Sequence, residues 1–206
     1  ESVGRDTTGA RVAAFFDIDG TLVGGASIWR GIWDFHFQER RRCGRPVRFL
    51  LGNAWLVARL GMRGASRDEI SLASAESVGT IFRGLTPDEA QYMFAWIWRH
   101  TLLPGLRVDI MARLREHRNR GHFVALVSAT LEELAQLVAR EVGADVAVGS
   151  RLEMKDGRHT GRIVPPVCLG VHKAERAREL LELQSAVDLA ESFAYADSGH
   201  DAPLLE

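Results

Sequence analysis

The chain has 206 residues, 46% of them apolar and 26% charged, and this length is typical of one domain or of one domain with an insertion. Its formal net charge of −1 disfavours a nucleic-acid-binding protein, and no uninterrupted apolar run reaches the roughly 18 residues of a membrane span. Cys43 and Cys168 are too few and too far apart for a disulfide framework, which favours a reducing, cytoplasmic setting.

Four short apolar segments are predicted to be strands, and they alternate with amphipathic helices. The strands are residues 11–17, 122–128, 145–149 and 193–197. The helices are expected around residues 106–114, with Pro104 in the first turn, 131–138 and 174–183. This alternation predicts an α/β fold with a parallel sheet and helices on its faces. Residues 152–163, which have Asp156-Gly157 at their centre, predict a β-hairpin.

Residues 25–103 interrupt the alternation, because they show helical spacing and no convincing strand. They contain 11 of the 16 aromatic residues, including all five Trp. We predict a helical insertion with a small core of its own and an internal joint at residues 61–66. The aromatic residues have two interpretations: they form that core, or they offer an apolar surface to a bound molecule.

Basic residues are concentrated in one part of the insertion. The segment from Arg30 to Arg63 contains eight Arg but only two acids, Asp34 and Glu39, which is a local excess of six positive charges. This excess is either an ordinary solvated face or a surface that attracts anionic substrates or an anionic membrane.

The first chemical motif, Asp17-Ile18-Asp19-Gly20-Thr21, follows the first predicted strand. Ligands bind at the carboxyl ends of strands in an open parallel sheet. One carboxylate could act as a nucleophile while the other transfers protons, and Gly20 permits a sharp turn. A lone pair of acids would favour an Asx-type turn instead, but the whole motif after an apolar strand is more specific.

Three further features follow later strands. Ser128, with Thr130 two residues on, is either an anion-binding hydroxyl or an ordinary helix N-cap. Lys173 begins a helix and suits neutralisation of a phosphoryl group, unless it is a solvated surface lysine. The segment Asp197-Ser198-Gly199-His200-Asp201 has two carboxylates that, with Asp17, could hold a hard divalent cation, unless it is only a capped turn.

The order of these motifs resembles the haloacid dehalogenase superfamily, and within it the phosphoserine-phosphatase-like branch, over about residues 12–206. The resemblance implies a Rossmann-like core formed by residues 11–24 and 104–206. Residues 25–103 would then be an all-helical cap of the superfamily's first (C1) type.

The resemblance also implies an activity: Mg²⁺-dependent hydrolysis of a small-molecule phosphate monoester through an aspartyl-phosphate. By similarity, Asp17 attacks phosphorus, and Asp19 first protonates the leaving alcohol and then activates water. The phosphoryl group would be bound by Thr21, Ser128 and Lys173. Mg²⁺ would be held by Asp17, Asp19, Asp197 and Asp201.

Departures from the family pattern bear on the substrate. The superfamily's dehalogenases lack the second acid of the first motif, so Asp19 favours phosphoryl transfer. Phosphoserine phosphatases carry a glutamate nine residues after the nucleophile, where this chain has Ala26, and this disfavours phosphoserine itself. The aromatic insertion instead suggests a leaving group with apolar surface. His200 is the one histidine worth testing for a role near the phosphate.

The end of the chain suggests an alternative function. Relatives normally continue into a further strand, whereas this chain stops at Glu206, so we expect either a sheet that lacks an edge strand or a piece of a longer protein with a fused or associated domain after residue 206. The alternative is therefore a non-catalytic or regulatory domain of a lipid-modifying, acyltransferase-fused protein. A receiver domain also has an acceptor Asp and a Lys, but the chain length and the large insertion exclude it.

Overall fold

The structure, a computed structural model, describes residues 11–25, 27–39, 44–182 and 187–197. The strands in these residues are β1 (Arg11–Phe16), β2 (Phe123–Leu131), β3 (Val146–Ser150), β4 (Leu152–Lys155), β5 (Arg158–Ile163) and β6 (Val187–Tyr195). Four of them form a parallel sheet in the order β3-β2-β1-β6, and β4 and β5 pair as an antiparallel hairpin. The predicted α/β fold is confirmed.

The helices are α1 (Ile28–Asp34), α2 (Gly44–Met62), α3 (Arg67–Ser77), α4 (Pro87–Ile97), α5 (Val108–Asn119), α6 (Glu132–Val142) and α7 (Val171–Glu182). Short π- and 3₁₀-helical turns lie at Phe35–Glu39, Val78–Phe82, Trp98–Leu102 and Leu103–Gly105. Among the described residues, no helix is both long enough and apolar enough to cross a membrane.

Local sequence explains where several helices begin and end. Ser66 and Thr86 cap α3 and α4, and in each case a glutamate three residues later bonds back to the cap, which satisfies backbone N–H groups that would otherwise have no partner. Pro87 fits the first turn of α4 because its missing N–H is not needed there. Gly143 ends α6 at φ +79°, a conformation that glycine adopts without strain.

Three boundaries differ from those predicted. β2 extends three residues beyond Ser128, through a break in its pairing with β3. β6 begins at Val187, and its register against β1 shifts between Val12 and Ala14. Pro104 lies in a separate 3₁₀ turn and not in the first turn of α5, which begins at Val108. The predicted hairpin is confirmed, with positive φ at both Asp156 and Gly157.

The insertion is helical in its described residues, and the chain enters and leaves it at adjacent points. The Gly24 N–H donates to the Gly105 carbonyl at 2.9 Å. The predicted joint is confirmed, since α2 ends at Met62 and α3 begins at Arg67. A separate core was a wrong expectation: Phe82 and Phe94 of the insertion belong to the same buried cluster as Phe16 and Leu126 of the sheet. The division into two domains stays a prediction.

Apart from the half-buried Trp33, the insertion's aromatic residues divide into two groups, so neither interpretation covers all of them. The buried group packs into the shared core and comprises Phe35, Phe49, Phe82, Phe94, Trp96 and Trp98. The exposed group comprises Trp29, Phe37, Trp55 and Tyr92.

Candidate active site

A buried ion pair lies at the carboxyl end of β1. Asp17 follows this central strand directly, and its backbone N–H donates to the Tyr195 carbonyl of β6 at 2.9 Å. Lys173, on the first turn of α7, donates from Nζ to Asp17 Oδ1 at 2.7 Å and is 2% exposed. The predicted placement of Lys173 at a helix start is confirmed, and the interpretation as a solvated surface lysine is wrong.

Asp19 lies two residues further along the same loop. Its Oδ1 atom is shielded from solvent and has no hydrogen-bond partner among the described residues. Burial, and next the neighbouring Asp17 carboxylate, raise the pKa of Asp19 to about 6. A carboxyl group with this pKa can give and take a proton near neutral pH.

Asp197, the last described residue, lies against the loop of the first motif. The Thr21 hydroxyl donates to Asp197 Oδ1 at 3.5 Å. Gly20 has φ +86°, and a Cβ at this position would overlap the Asp197 carboxylate. Only glycine therefore allows the loop after β1 and the residue after β6 to approach so closely. The structure thus brings Asp17, Asp19 and Asp197 to one edge of the sheet.

Ser128 lies at the same edge but not in the expected local structure. It is buried inside β2, and its Oγ accepts from the Thr130 N–H at 3.3 Å. Helix α6 begins at Glu132 with Leu131 as its N-cap, so the N-cap interpretation of Ser128 is wrong. Phe16 of β1 pairs with Leu126 of β2. Asp17 and Ser128 follow these two residues, so both lie at the carboxyl end of the sheet.

Arg107 was not predicted as part of this region. Its backbone N–H donates to the Leu22 carbonyl at 3.0 Å, and its guanidinium donates to the Gly20 carbonyl at 3.4 Å and pairs with Asp109 at 2.8 Å. The residue therefore supports the loop that carries the two acids. No sequence signal could have identified it, because its contacts with this loop are to backbone carbonyls, and that of Gly20 lies 87 residues earlier.

Comparison with known proteins assigns the chain to a family. The haloacid dehalogenase-like hydrolase family matches residues 14–206. The chain belongs to this family. The phosphoserine phosphatase SerB1 of Mycobacterium tuberculosis is 29% identical over 94% of the chain and 61% of its own length. The chain therefore spans about three fifths of that relative.

Two solved structures show the same fold. A protein of unknown function from Bordetella pertussis has a TM-score of 0.76 and 26% identity, covering 95% of this chain and 86% of that one. A phosphoserine phosphatase captured as an analogue of its phospho-aspartyl intermediate has a TM-score of 0.60 and 18% identity, covering 95% of this chain and 82% of that one.

The described acids supply oxygen atoms, which are the ligand type that a hard cation prefers. No three Asp, Glu, His or Cys side chains within the described ranges are arranged closely enough to hold a metal by themselves. Mg²⁺ usually takes only one or two protein carboxylates, with water and substrate oxygens completing its coordination. The Asp17 and Asp197 carboxylates match that number. The predicted Asp201 and His200, like Ala26, lie outside the described residues.

A cavity of about 930 Å³ lies inside the insertion, apart from these acids. Its apolar lining includes Phe35, Phe49, Leu56, Leu85 and Met93, and none of the predicted site residues lines it. From α2 it is lined by Phe49, Asn53 and Leu56 and also by Arg48 and Trp55, so it lies between that helix and the rest of the insertion.

Proposed function

We propose that the chain is a Mg²⁺-dependent phosphatase that hydrolyses a phosphate monoester through an aspartyl-phosphate on Asp17. The observation that carries this proposal is the buried 2.7 Å contact of Lys173 with Asp17, beside a second acid whose pKa is raised to about 6. Family membership and a relative described as a phosphoserine phosphatase support it.

Asp17 is the proposed nucleophile. Its contact with Lys173 places an ammonium group beside the carboxylate and holds the paired oxygen in a fixed direction. In the first step Asp17 forms a bond to phosphorus, and the bond from phosphorus to the leaving oxygen breaks. The Lys173 ammonium offsets the repulsion between this carboxylate and the phosphate dianion.

Asp19 is the proposed proton-transfer group. In its protonated form it gives a proton to the leaving oxygen, so that a neutral alcohol departs. The resulting carboxylate then takes a proton from the water that attacks the aspartyl-phosphate, which releases inorganic phosphate and restores both acids. A pKa of about 6 allows both roles near neutral pH.

The remaining predicted residues are proposed to bind the phosphoryl group and the metal. Thr21, Ser128 and Lys173 would donate hydrogen bonds to phosphoryl oxygens. The Asp17 side chain, the Asp19 carbonyl and Asp197, together with Asp201, would hold Mg²⁺. When bound, this ion would neutralise negative charge on the transferring group. Residues 11–24 and 104–206 would form the catalytic core, with residues 25–103 as its cap.

The substrate is proposed to be a small phosphomonoester whose leaving group has apolar surface. The exposed aromatic residues of the insertion support the apolar surface, and Ala26 disfavours phosphoserine. The alternative of a non-catalytic domain from a lipid-modifying protein finds no support in the comparisons.

Asp17→Asn tests the proposal. With a small phosphoester and Mg²⁺, we expect wild-type turnover that EDTA abolishes, and a loss of at least about 10³-fold in kcat for the variant. Asp34→Asn, which changes a half-buried acid of α1 that pairs with the exposed Arg30, is the control and should retain full activity. Acid-quenched wild-type protein should carry a phosphoryl group on Asp17 by peptide mass spectrometry. Unchanged turnover by Asp17→Asn would overturn the mechanism.

A further inference from the structure

Helix α2 packs against the rest of the insertion through a narrow inner side. Phe49, Asn53, Leu56 and Leu60 recur every three or four residues along it, which is the spacing of one helix face. Phe49 is buried and the other three are half-buried. These residues account for the attachment of α2, and they leave most of its circumference in solvent.

The opposite side of α2 is apolar although it is exposed. At about 100° per residue, its side chains span an arc of about 160° without a charged side chain, and the arc ends at Trp55, whose indole N–H is its hydrogen-bond donor. We call this arc the outer face; it comprises Val47, Leu50, Leu51, Ala54, Trp55, Val57, Ala58, Gly61 and Met62. Leu51 is 69% exposed, Trp55 62% and Met62 83%. An apolar area of this kind on a water-facing helix marks a surface that contacts another molecule.

Basic side chains border the outer face. On the helical wheel, Arg48 and Arg59 lie next to Trp55, and the Arg59 guanidinium is 5.2 Å from the Trp55 ring centroid. The surrounding sequence, Arg30 to Arg63, has the excess of six positive charges noted above. The partner of this face must therefore combine apolar surface with negative charge.

We propose that the outer face of α2 binds the surface of a membrane that contains anionic phospholipids. The helix would lie in the interfacial plane, with Leu51, Trp55 and Met62 among the acyl chains and the arginines against the phosphate groups. A second copy of the chain is a poorer partner, because packing α2 on α2 would bring two basic segments together. This proposal does not depend on the proposed phosphatase activity.

Vesicle co-sedimentation tests the proposal on the whole chain. We expect wild-type protein to bind vesicles of equal phosphatidylglycerol and phosphatidylcholine at least tenfold more strongly than vesicles of phosphatidylcholine alone. Binding should fall severalfold in 0.5 M salt, since screening weakens the attraction between the arginines and the lipid phosphates. The double variant Leu51→Glu/Trp55→Glu should lose at least tenfold in binding.

The chain offers a matched control for these substitutions. Val108 at the start of α5 is 83% exposed, as Met62 is, but it lies outside the insertion. Val108→Glu should bind anionic vesicles as the wild type does. If the double variant does not fold by circular dichroism, Met62→Glu at the end of α2 replaces it and should lose severalfold in binding.

Three outcomes would overturn the proposal. The first is equal sedimentation of the wild-type protein with both vesicle types, or with neither. The second is binding of the outer-face variant as tight as that of Val108→Glu. The third is a wild-type dimer in sedimentation velocity that Leu51→Glu/Trp55→Glu converts to monomer, which would assign the face to a second copy of the chain.

Discussion

The carboxyl end of β1 and the outer face of α2 depart from the usual pattern of burial in opposite directions. At β1 an aspartate and a lysine are both buried, whereas on α2 leucine, tryptophan and methionine are exposed. Charged groups are almost never fully buried without partners, and contiguous exposed apolar surface is uncommon on a monomer. Each region therefore suits the contact with another molecule that we propose for it.

The two regions also differ in how they tolerate substitution. Removing one member of a buried ion pair leaves the other charge without compensation, which costs far more than the intact pair contributes. An exposed apolar side chain has few contacts in the folded state, so its replacement changes stability little. Substitutions at the carboxyl end of β1 should consequently lower the free energy of unfolding strongly, whereas substitutions on the outer face of α2 should change it little.

The largest effect is expected from Lys173→Met. This change keeps much of the side-chain length but leaves the buried Asp17 carboxylate without its ammonium partner, and should cost about 3–5 kcal/mol of unfolding free energy. Urea titration of the protein at pH 7 measures it. Lys155→Met, at an exposed position in the hairpin, should stay within about 0.5 kcal/mol. Adding Asp17→Asn to Lys173→Met should recover part of the loss; no recovery would contradict the pairing.

Gly20→Ala should give the next largest effect, because it adds both backbone strain and a clash with Asp197. The matched control is Gly121→Ala, which has a similar φ of +76° but open space around the added Cβ. We expect the control to lose about 1–2 kcal/mol from strain alone, and Gly20→Ala to lose about 1 kcal/mol more. Phosphatase activity should fall about 10²-fold in Gly20→Ala only. Equal stability and activity of the two variants would show that Asp197 does not approach the loop.

Asp19→Asn should change stability in a pH-dependent way in metal-free protein. The pKa of Asp19 rises from an ordinary 3.8 to about 6 on folding, so its contribution to stability is present below pH 3.8 and is lost as the pH rises through 6. At pH 8 the variant should therefore be more stable than the wild type by about 3 kcal/mol, and at pH 4 the difference should fall below about 1 kcal/mol. Thermal unfolding in EDTA at both pH values measures this. A difference that is equal at pH 4 and pH 8 would contradict the shift.

Sequence patterns predicted the elements well where one physical signal dominated. The apolar run before Asp17 and the turn residues Asp156-Gly157 each determined a local structure that was confirmed. The convergence of Asp17, Lys173 and Asp197 followed from the family resemblance and from the rule that parallel strands end at one edge, and not from periodicity.

The predictions failed where the structure depends on contacts between residues that are far apart in the sequence. β2 continues past Ser128 because Leu131 pairs with Ser150 after an irregularity, which a polar residue in the sequence does not reveal. The insertion shares the sheet's core because Phe82 and Phe94 pack against it. Helical periodicity shows which face of a helix is apolar, but it does not show what that face packs against. Asp197 and Gly20 are 177 positions apart, so their close approach depends on the sheet order.

Gly52→Ala should give the smallest change in the free energy of unfolding. It tests whether helix α2 is as weakly packed as its exposure indicates. Gly52 lies in the middle of α2, and a Cβ there would contact nothing within 4 Å. Alanine restricts the unfolded chain and favours the helix, so the variant should gain about 0.5–1 kcal/mol. Gly79→Ala is the contrasting change: its Cβ would lie 2.9 Å from the Gly161 carbonyl oxygen of β5, so stability should fall. Urea midpoints measure both. A loss of stability in Gly52→Ala would mean that α2 is packed more tightly than its exposed outer face implies, which would weaken the contrast with β1.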